Sequence, residues 1–375
     1  MKKVFWCTSC LNMSTRPRIE FNDQGECNAC VWSKEKESFS FAKRCVEFEK
    51  HIESIKGKYA FDCIVPVSGG KDGSYVATKL RDDYGMNVLA VTVRPALELE
   101  LGSKNLQNFI NSGFSHIHVS TNNRILDELN KEGFKIKGFP YYGWLIAIHT
   151  AVINVANSFN IPLVVYGEDG EIEYGGSTAK KNISFYDTNY MRDTYLEGGH
   201  NRILETVKEK LMLSDQELYM WKFPESVDSH VRFTHWSYWE GWDSYRNYVV
   251  AKEKCGLEEN EETNQGTFTN FAQNDQALYS LHAYLMYLKF GFGRATQDAG
   301  IEIRRGAMNR EQAIELVKIY DNHFPEEFLE LYLEYYQMSE QEFFDVLEKH
   351  SNKSLFKREG NEFLPQFEVG KEFML

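Results

Sequence analysis

The chain has 375 residues, of which 42% are hydrophobic, and 42 basic against 55 acidic side chains give a formal net charge of −13. That balance suits an ordinary globular protein with a large core in one to three domains. It argues against a nucleic-acid substrate, which needs gathered Lys and Arg, and against adhesion to an anionic membrane. No apolar run approaches the roughly 20 residues of a membrane span. Polar residues interrupt Met1 to Arg18, which therefore lacks the form of a signal peptide, so a cytoplasmic location is expected.

The first 40 residues read as a small cysteine-bounded unit. Cys7-x-x-Cys10 and Cys27-x-x-Cys30, 16 residues apart, match the spacing of a four-thiolate zinc site. A closed site of this kind is usually structural; an iron–sulfur cluster is the competing ligand. Residues 40–58 then read as an amphipathic helix through Phe41, Cys45, Phe48, Ile52 and Ile55. From Asp62 the pattern is α/β. Strands are expected at 62–67, 87–93, 116–119 and 161–166, and helices at 73–84, 106–112 and 144–159. Alternation of this kind predicts a parallel sheet with helices on both faces.

Residues 168–200, rich in Gly, Tyr, Asn and acids, read as a long functional loop. Residues 230–250 are dense in aromatics. Helices are expected again at 276–290, 309–321, 326–336 and 339–350, with Gly291 to Gly306 as a loop bearing glycine and arginine. Three units follow: a cysteine ribbon (1–40), an α/β domain (41–200) and a mostly helical region (201–375).

The first strand runs into Ser68-Gly69-Gly70-Lys71-Asp72-Gly73-Ser74 and a helix. Glycines let backbone N–H groups approach phosphates, and the helix start adds unpaired N–H groups and a positive dipole end. Lys71 suits phosphate oxygens, and Asp72 suits Mg²⁺. The spacing is not that of a Walker A loop. It resembles the PP-loop of the ATP pyrophosphatase superfamily, S-G-G-x-D-S, whose members cleave ATP to AMP and pyrophosphate. Gly73 stands where that pattern has Ser, and Ser74 follows one place later. The resemblance implies that backbone around Thr92 and Val93 reads the adenine.

After the fourth strand comes Gly167-Glu168-Asp169. Ligands of open α/β sheets lie beyond the carboxyl ends of strands, so Glu168 and Asp169 are candidates for holding metal or accepting a proton. An acidic surface turn is the bland alternative. The stretch Arg294-Ala295-Thr296-Gln297-Asp298-Ala299, with Arg304 and Arg305 beyond it, offers guanidinium forks for an anion; capping and surface ion pairs explain it equally well. Trp236, Tyr238, Trp239, Trp242, Tyr245 and Tyr248 suit either a stacking surface or core. His149, His200, His230 and His235 show no ligand spacing.

Taken together, the cysteine pairs, the loop, Trp242-Asp243-Ser244-Tyr245, Gly266-Thr267-Phe268-Thr269-Asn270 and the Arg294 to Ala299 signature resemble the N-acetyl sugar amidotransferase family. That family makes acetamidino sugars for O-antigen and for flagellar nonulosonic acids such as pseudaminic acid. The resemblance runs from Cys7 past residue 345. It implies adenylation of an amide oxygen by ATP with Mg²⁺, attack by ammonia from a glutaminase partner, a structural Zn²⁺, and an anionic N-acetylated sugar met by Arg294, Thr296, Asp298 and Arg304. No nucleophilic Cys with a His partner is evident, in keeping with a separate glutaminase. Oligomeric state stays open, although homodimers are common in the superfamily. Two rivals stand beside it: a PP-loop tRNA-thiolating enzyme, which generally needs further cysteines near the nucleotide, and a zinc-ribbon assembly protein on a degenerate nucleotide fold.

Overall fold

The computed structural model describes residues 3–224 and 231–375; His230 lies outside them. Its strands are β1 (Lys3–Val4), β2 (Cys63–Pro66), β3 (Val88–Val93), β4 (Ser115–Val119), β5 (Leu163–Tyr166), β6 (Arg232–His235), β7 (Phe356–Glu359), β8 (Glu362–Pro365) and β9 (Phe373–Met374). Strands β2 to β6 form one parallel sheet in the order β4-β3-β2-β5-β6. Strand order reverses between β2 and β5, so their carboxyl ends lie side by side at the switch point of the sheet. β7 and β8 form a hairpin, and β1 pairs with β9, tying the two ends of the described chain together.

The helices are α1 (Asn28–Glu37), α2 (Phe41–Ile55), α3 (Lys71–Asp82), α4 (Glu100–Asn111), α5 (Asn123–Lys137), α6 (Tyr142–Ser158), α7 (Gly170–Tyr174), α8 (Thr188–Tyr190), α9 (His200–Leu211), α10 (Trp236–Trp239), α11 (Ser244–Cys255), α12 (Leu278–Phe290), α13 (Arg294–Arg304), α14 (Arg310–Tyr320), α15 (Leu329–Tyr336) and α16 (Glu340–His350). Strand side chains alternate between the two faces of the sheet. Cys63, Val65, Val88, Ala90, Leu163 and Val165 pack with α2, α3 and α4. Ile64, Leu89, Val91, Val164 and Phe233 pack with α5, α6 and the C-terminal helices. The expected fold class is therefore what the chain adopts: a parallel sheet covered on both faces, a cysteine ribbon before it and a helical region after it.

Several elements differ from expectation, α9, α11 and the β7–β8 hairpin among them, and three bear most on the architecture. The sheet has a fifth parallel strand, β6, and a missed helix, α5, capped by the Asn122 side chain on Ile125 N–H and closed by left-handed Gly138 (φ 59°). The third is the arginine segment, which is helix α13 rather than a loop. Its start is capped from outside: Asp321 accepts from Gly293 N at 2.8 Å and Thr296 N at 3.2 Å. That carboxylate replaces a local N-cap, so the glycines at 291 and 293 end one helix and admit the next. No helix among the described residues is long and apolar enough to cross a membrane.

Candidate active site

The loop after β2 turns on Gly69. Its φ is +84°, and a Cβ there would lie 2.4 Å from Leu106 N, so only glycine fits. Gly70 caps α3, which opens with Lys71 and Asp72. At Gly73 a Cβ would stand 2.9 Å from Pro66 O and 3.1 Å from Val67 Cγ1. The glycine at the pattern's serine position therefore buys close packing of α3 on the end of β2. Ser74 does not replace that serine in the site: it is fully buried, and its Oγ has no partner among the described residues. The loop hydroxyl that does reach the cavity is Ser68.

A cavity of about 210 Å³ opens over this loop. Lys71, Asp72, Glu168, Tyr174, Asp275 and Arg294 all contribute to its wall. Lys71 is buried and ion-paired with Asp72. The other Asp72 oxygen accepts from Asn247 Nδ2 of α11 at 3.0 Å. Glu168 follows β5 across the switch point. Burial, and then the nearby Asp72 carboxylate, push its pKa up to about 7, against the opposing pull of Lys71. The Tyr174 hydroxyl donates to Glu168 Oε1 at 2.8 Å.

Asp169, the next residue, faces elsewhere. It caps α7 through Glu171 N–H and accepts from the hydroxyls of Tyr190 (2.8 Å) and Tyr195 (3.3 Å). His235 Nδ1 stands 3.8 Å from it, a contact that spacing alone did not reveal. The two adjacent acids are thus divided between the cavity and a buried polar cluster.

Among the candidate anion residues, Arg294 reaches the cavity. Burial works against its charge, but Asp298 first, with Tyr174 and Glu168, more than offsets this; Arg294 Nε bonds Asp298 at 3.0 Å. Asp298 also accepts from Thr267 and Thr269, the segment quoted in the family signature. Asp298 therefore orients Arg294, and Thr296 serves the α13 cap through Asp321. Arg304 points the other way: Nη2 donates to Glu173 O at 3.2 Å, while Nη1 is buried without a partner among the described residues. It lines a neighbouring hollow of about 300 Å³ with Lys36, Trp242 and Arg305, and Tyr174 belongs to both spaces. The Trp242 Nε1 donor is likewise unpartnered. Trp236 and Trp239, by contrast, are core against Phe48.

Beside the loop on its other flank is an apolar cavity of about 180 Å³ at the ends of β2 and β3. Thr92 and Val93 line it, as do Leu106, Trp144 and Ile148. The Thr92 hydroxyl donates to Val67 O, and Trp144 Nε1 donates to Val93 O.

The four N-terminal cysteines come together. Their sulfurs all lie within 4.8 Å of one another, with Cys7–Cys30 at 3.8 Å and Cys10–Cys27 at 3.7 Å. A tetrahedron of thiolates about 2.3 Å from one ion has edges of about 3.8 Å, so the set fits a single metal ion. The sulfurs stand too close to surround a four-iron cluster. Backbone N–H groups of Cys10, Asn12 and Cys27 point at these sulfurs, as expected for thiolates.

Sequence reasoning missed Tyr174, Asn247, Asp275 and Tyr279. Tyr174, Asn247 and Asp275 come from loops or unrecognised helices and Tyr279 from the expected helix at 276–290, and only the folded arrangement brings them to the loop.

Residues 265–371 match the family described as LPS biosynthesis protein WbpG-like, C-terminal domain. No curated protein matches the chain. Among solved structures, the U34-tRNA thiolase NcsA from Methanococcus maripaludis, described with its [4Fe-4S] cluster, aligns at 14% identity over 71% of this chain and 78% of its own, with a TM-score of 0.32. NMN synthetase from Francisella tularensis aligns at 13% identity over 60% of this chain and 89% of its own, with a TM-score of 0.26. The family match supports the resemblance read from the sequence, and the residues it covers, 265–371, are those that bring Asp275 and Arg294 to the cavity.

Proposed function

We propose that the chain is an ATP-dependent amidotransferase that converts an N-acetyl group of an anionic sugar to an acetamidino group. The observation that carries this reading is the convergence of Lys71, Asp72, Glu168 and Arg294 on one cavity at the switch point. The Arg294 helix comes from the WbpG-like region.

An amide is a poor electrophile because its oxygen is a poor leaving group. Attack of that oxygen on the α-phosphorus of ATP releases pyrophosphate and leaves an imidoyl adenylate. Ammonia then adds to the former amide carbon, a proton is lost, and AMP departs. Loop amides, Lys71 and Arg294 stabilise charge on the transferring phosphates. Glu168, ionising near neutrality, accepts the proton from the attacking nitrogen. Mg²⁺, which Asp72 would hold, would neutralise phosphate charge. In the neighbouring hollow, which Glu37, Glu173 and Asp243 also line, Arg304 keeps beside Trp242 an Nη1 unpartnered among the described residues, and that guanidinium would meet an anionic sugar. Tyr174 lines both this hollow and the phosphate cavity, so a sugar bound there would lie next to the phosphates. Zn²⁺ is the ion best suited to the four thiolates, and its role is structural. Ammonia would come from a separate glutaminase subunit.

No cysteine lines the loop cavity among the described residues. Cys45, Cys63 and Cys255 lie elsewhere, which weighs against thiolation of tRNA. The test is incubation with ATP, Mg²⁺, ammonium and each candidate sugar, a nucleotide-linked diacetamido uronic acid or a nonulosonic acid. Sugar-dependent AMP and pyrophosphate should appear with the small mass decrease of exchanging oxygen for NH. ATP turnover with bulk tRNA and none with either sugar would reverse the assignment.

A further inference from the structure

The loop cavity and the apolar cavity meet at three residues: Ser68, Gly102 and Asp275 each line both. Asp275 belongs to the short segment before α12 and is locked in place by its backbone. Leu99 N donates to Asp275 O at 3.0 Å, and Glu98 bridges Gln276. The segment thus lies across the start of α4, directly over the neck between the two spaces.

Asp275 is an expensive group to put there. Burial pushes its pKa up to about 7, although the Ser68 and Tyr279 hydroxyls beside it pull the other way. Its Oδ2 atom is buried with no hydrogen-bond partner among the described residues. Buried carboxylate oxygens are ordinarily satisfied, so this one has a partner still to come. The other acid of the apolar cavity, Glu98, is already paired with Arg94 at 3.4 Å.

On the reading that ATP occupies this site, its parts are fixed by chemistry. The triphosphate belongs on the loop amides and Lys71. The flat apolar base belongs between Val91, Leu106 and Trp144. The sugar joining them must cross the neck. We propose that Asp275 is the ribose-binding residue, its carboxylate accepting hydrogen bonds from the 2′- and 3′-hydroxyls of the nucleotide. An O–H to carboxylate bond is charge-assisted and strong. A diol is also the partner that satisfies this oxygen without bringing a second charge into the neck.

The test is calorimetric binding of the non-hydrolysable α,β-methylene analogues of ATP, 2′-deoxy-ATP and 3′-deoxy-ATP to the full chain. The wild type should bind at least one deoxy analogue about tenfold or more weakly than the ribonucleotide. Asp275→Ala should weaken the ribonucleotide and leave the deoxy analogues nearly unchanged, so that the ratio collapses toward one. Asp275→Asn, which keeps the shape, should collapse it partly. A residue that merely braces Ser68 would weaken all three analogues alike, and a preserved ratio in either variant overturns the proposal. So does a wild type that binds all three equally, or a variant whose Mg²⁺ requirement changes while the ratio stays. A wild type that binds none of them removes the nucleotide reading itself, and the proposal with it.

Discussion

The Tyr174 hydroxyl donates to Glu168 Oε1 at 2.8 Å, and the main chain of the same tyrosine is tied to the cysteine cluster. Asn12 Nδ2 donates both to Tyr174 O at 3.1 Å and to Cys27 Sγ at 3.3 Å. Trp32 and Lys36 of α1 hold the Glu173 carboxylate at 3.1 and 2.6 Å, and Arg304 holds its carbonyl. The short helix α7 is therefore gripped from the ribbon side while its last residue touches the acid of the cavity.

Glu168 must be ionised to accept a proton. With its pKa pushed up to about 7, turnover should rise as pH increases through neutrality. The Tyr174 hydroxyl bond favours the charged form. Tyr174→Phe should therefore move that limb to higher pH, and Glu168→Gln should remove it. The measurement is sugar-dependent pyrophosphate release against pH, with rates expressed per free ammonia so that ammonia's own titration is divided out. An unmoved limb in Tyr174→Phe would show that another group titrates.

Loss of the ribbon metal should disturb this arrangement from a distance. Cys27→Ser removes both a thiolate ligand and the acceptor of the Asn12 bond. Expected are loss of bound metal, a lower melting temperature and weakened pyrophosphate release. Asn12→Ala is the sharper probe. It should keep its metal, read by elemental analysis, yet lose activity because α7 is no longer held. Full activity in metal-replete Asn12→Ala would sever the ribbon from the site.

Lys71→Ala should abolish sugar-dependent pyrophosphate release while leaving metal content intact. The ammonium is buried against Asp72 and the loop. Its loss removes the one lysine in the cavity wall among the described residues. Retained turnover in this variant would falsify the assignment of the loop to phosphate.

The loop was legible because glycine spacing after an apolar strand is a local signal, and the ribbon because cysteine spacing is one. Glu168 was legible from its place at a strand end. The division of Glu168 from Asp169 was not, since adjacent acids at a helix start turn opposite ways only once α7 and the tyrosines of 186–195 are placed. The Arg294 segment misled for a related reason. Its glycines read as a loop, and the cap that makes it a helix comes from Asp321, more than 20 residues later. Asp275 and Asn247 carried no local pattern at all.

Gly73 gives a prediction opposite to what motif repair suggests. Restoring the serine of the PP-loop pattern places a Cβ 2.9 Å from Pro66 O. Gly73→Ser should destabilise the fold by about 1–3 kcal/mol and lower activity rather than raise it, read by urea denaturation and turnover. Ser74→Ala removes a buried hydroxyl that bonds nothing among the described residues, so it should be neutral or stabilising and keep its activity. A large loss of turnover in Ser74→Ala would mean that the hydroxyl meets the phosphates after all.

Arg294 and Asp298 pose the remaining question, whether the arginine serves the fold or the chemistry. Their ion pair at 3.0 Å is largely buried, and breaking it from either side leaves an uncompensated charge. Arg294→Gln and Asp298→Asn should therefore both lower the melting temperature. If that were the whole role, turnover per folded molecule would fall equally in the two. Arg294, however, also lines the cavity with Lys71 and Glu168, where phosphate charge develops. Removing a preorganised donor at such a point typically costs about 10²–10³ in kcat. Arg294→Gln should show a loss of that order, largely in kcat. Asp298→Asn, which keeps the guanidinium but loosens it, should show a smaller loss. Equal kcat in the two variants would assign Arg294 to the scaffold and leave the phosphates to the loop and Lys71.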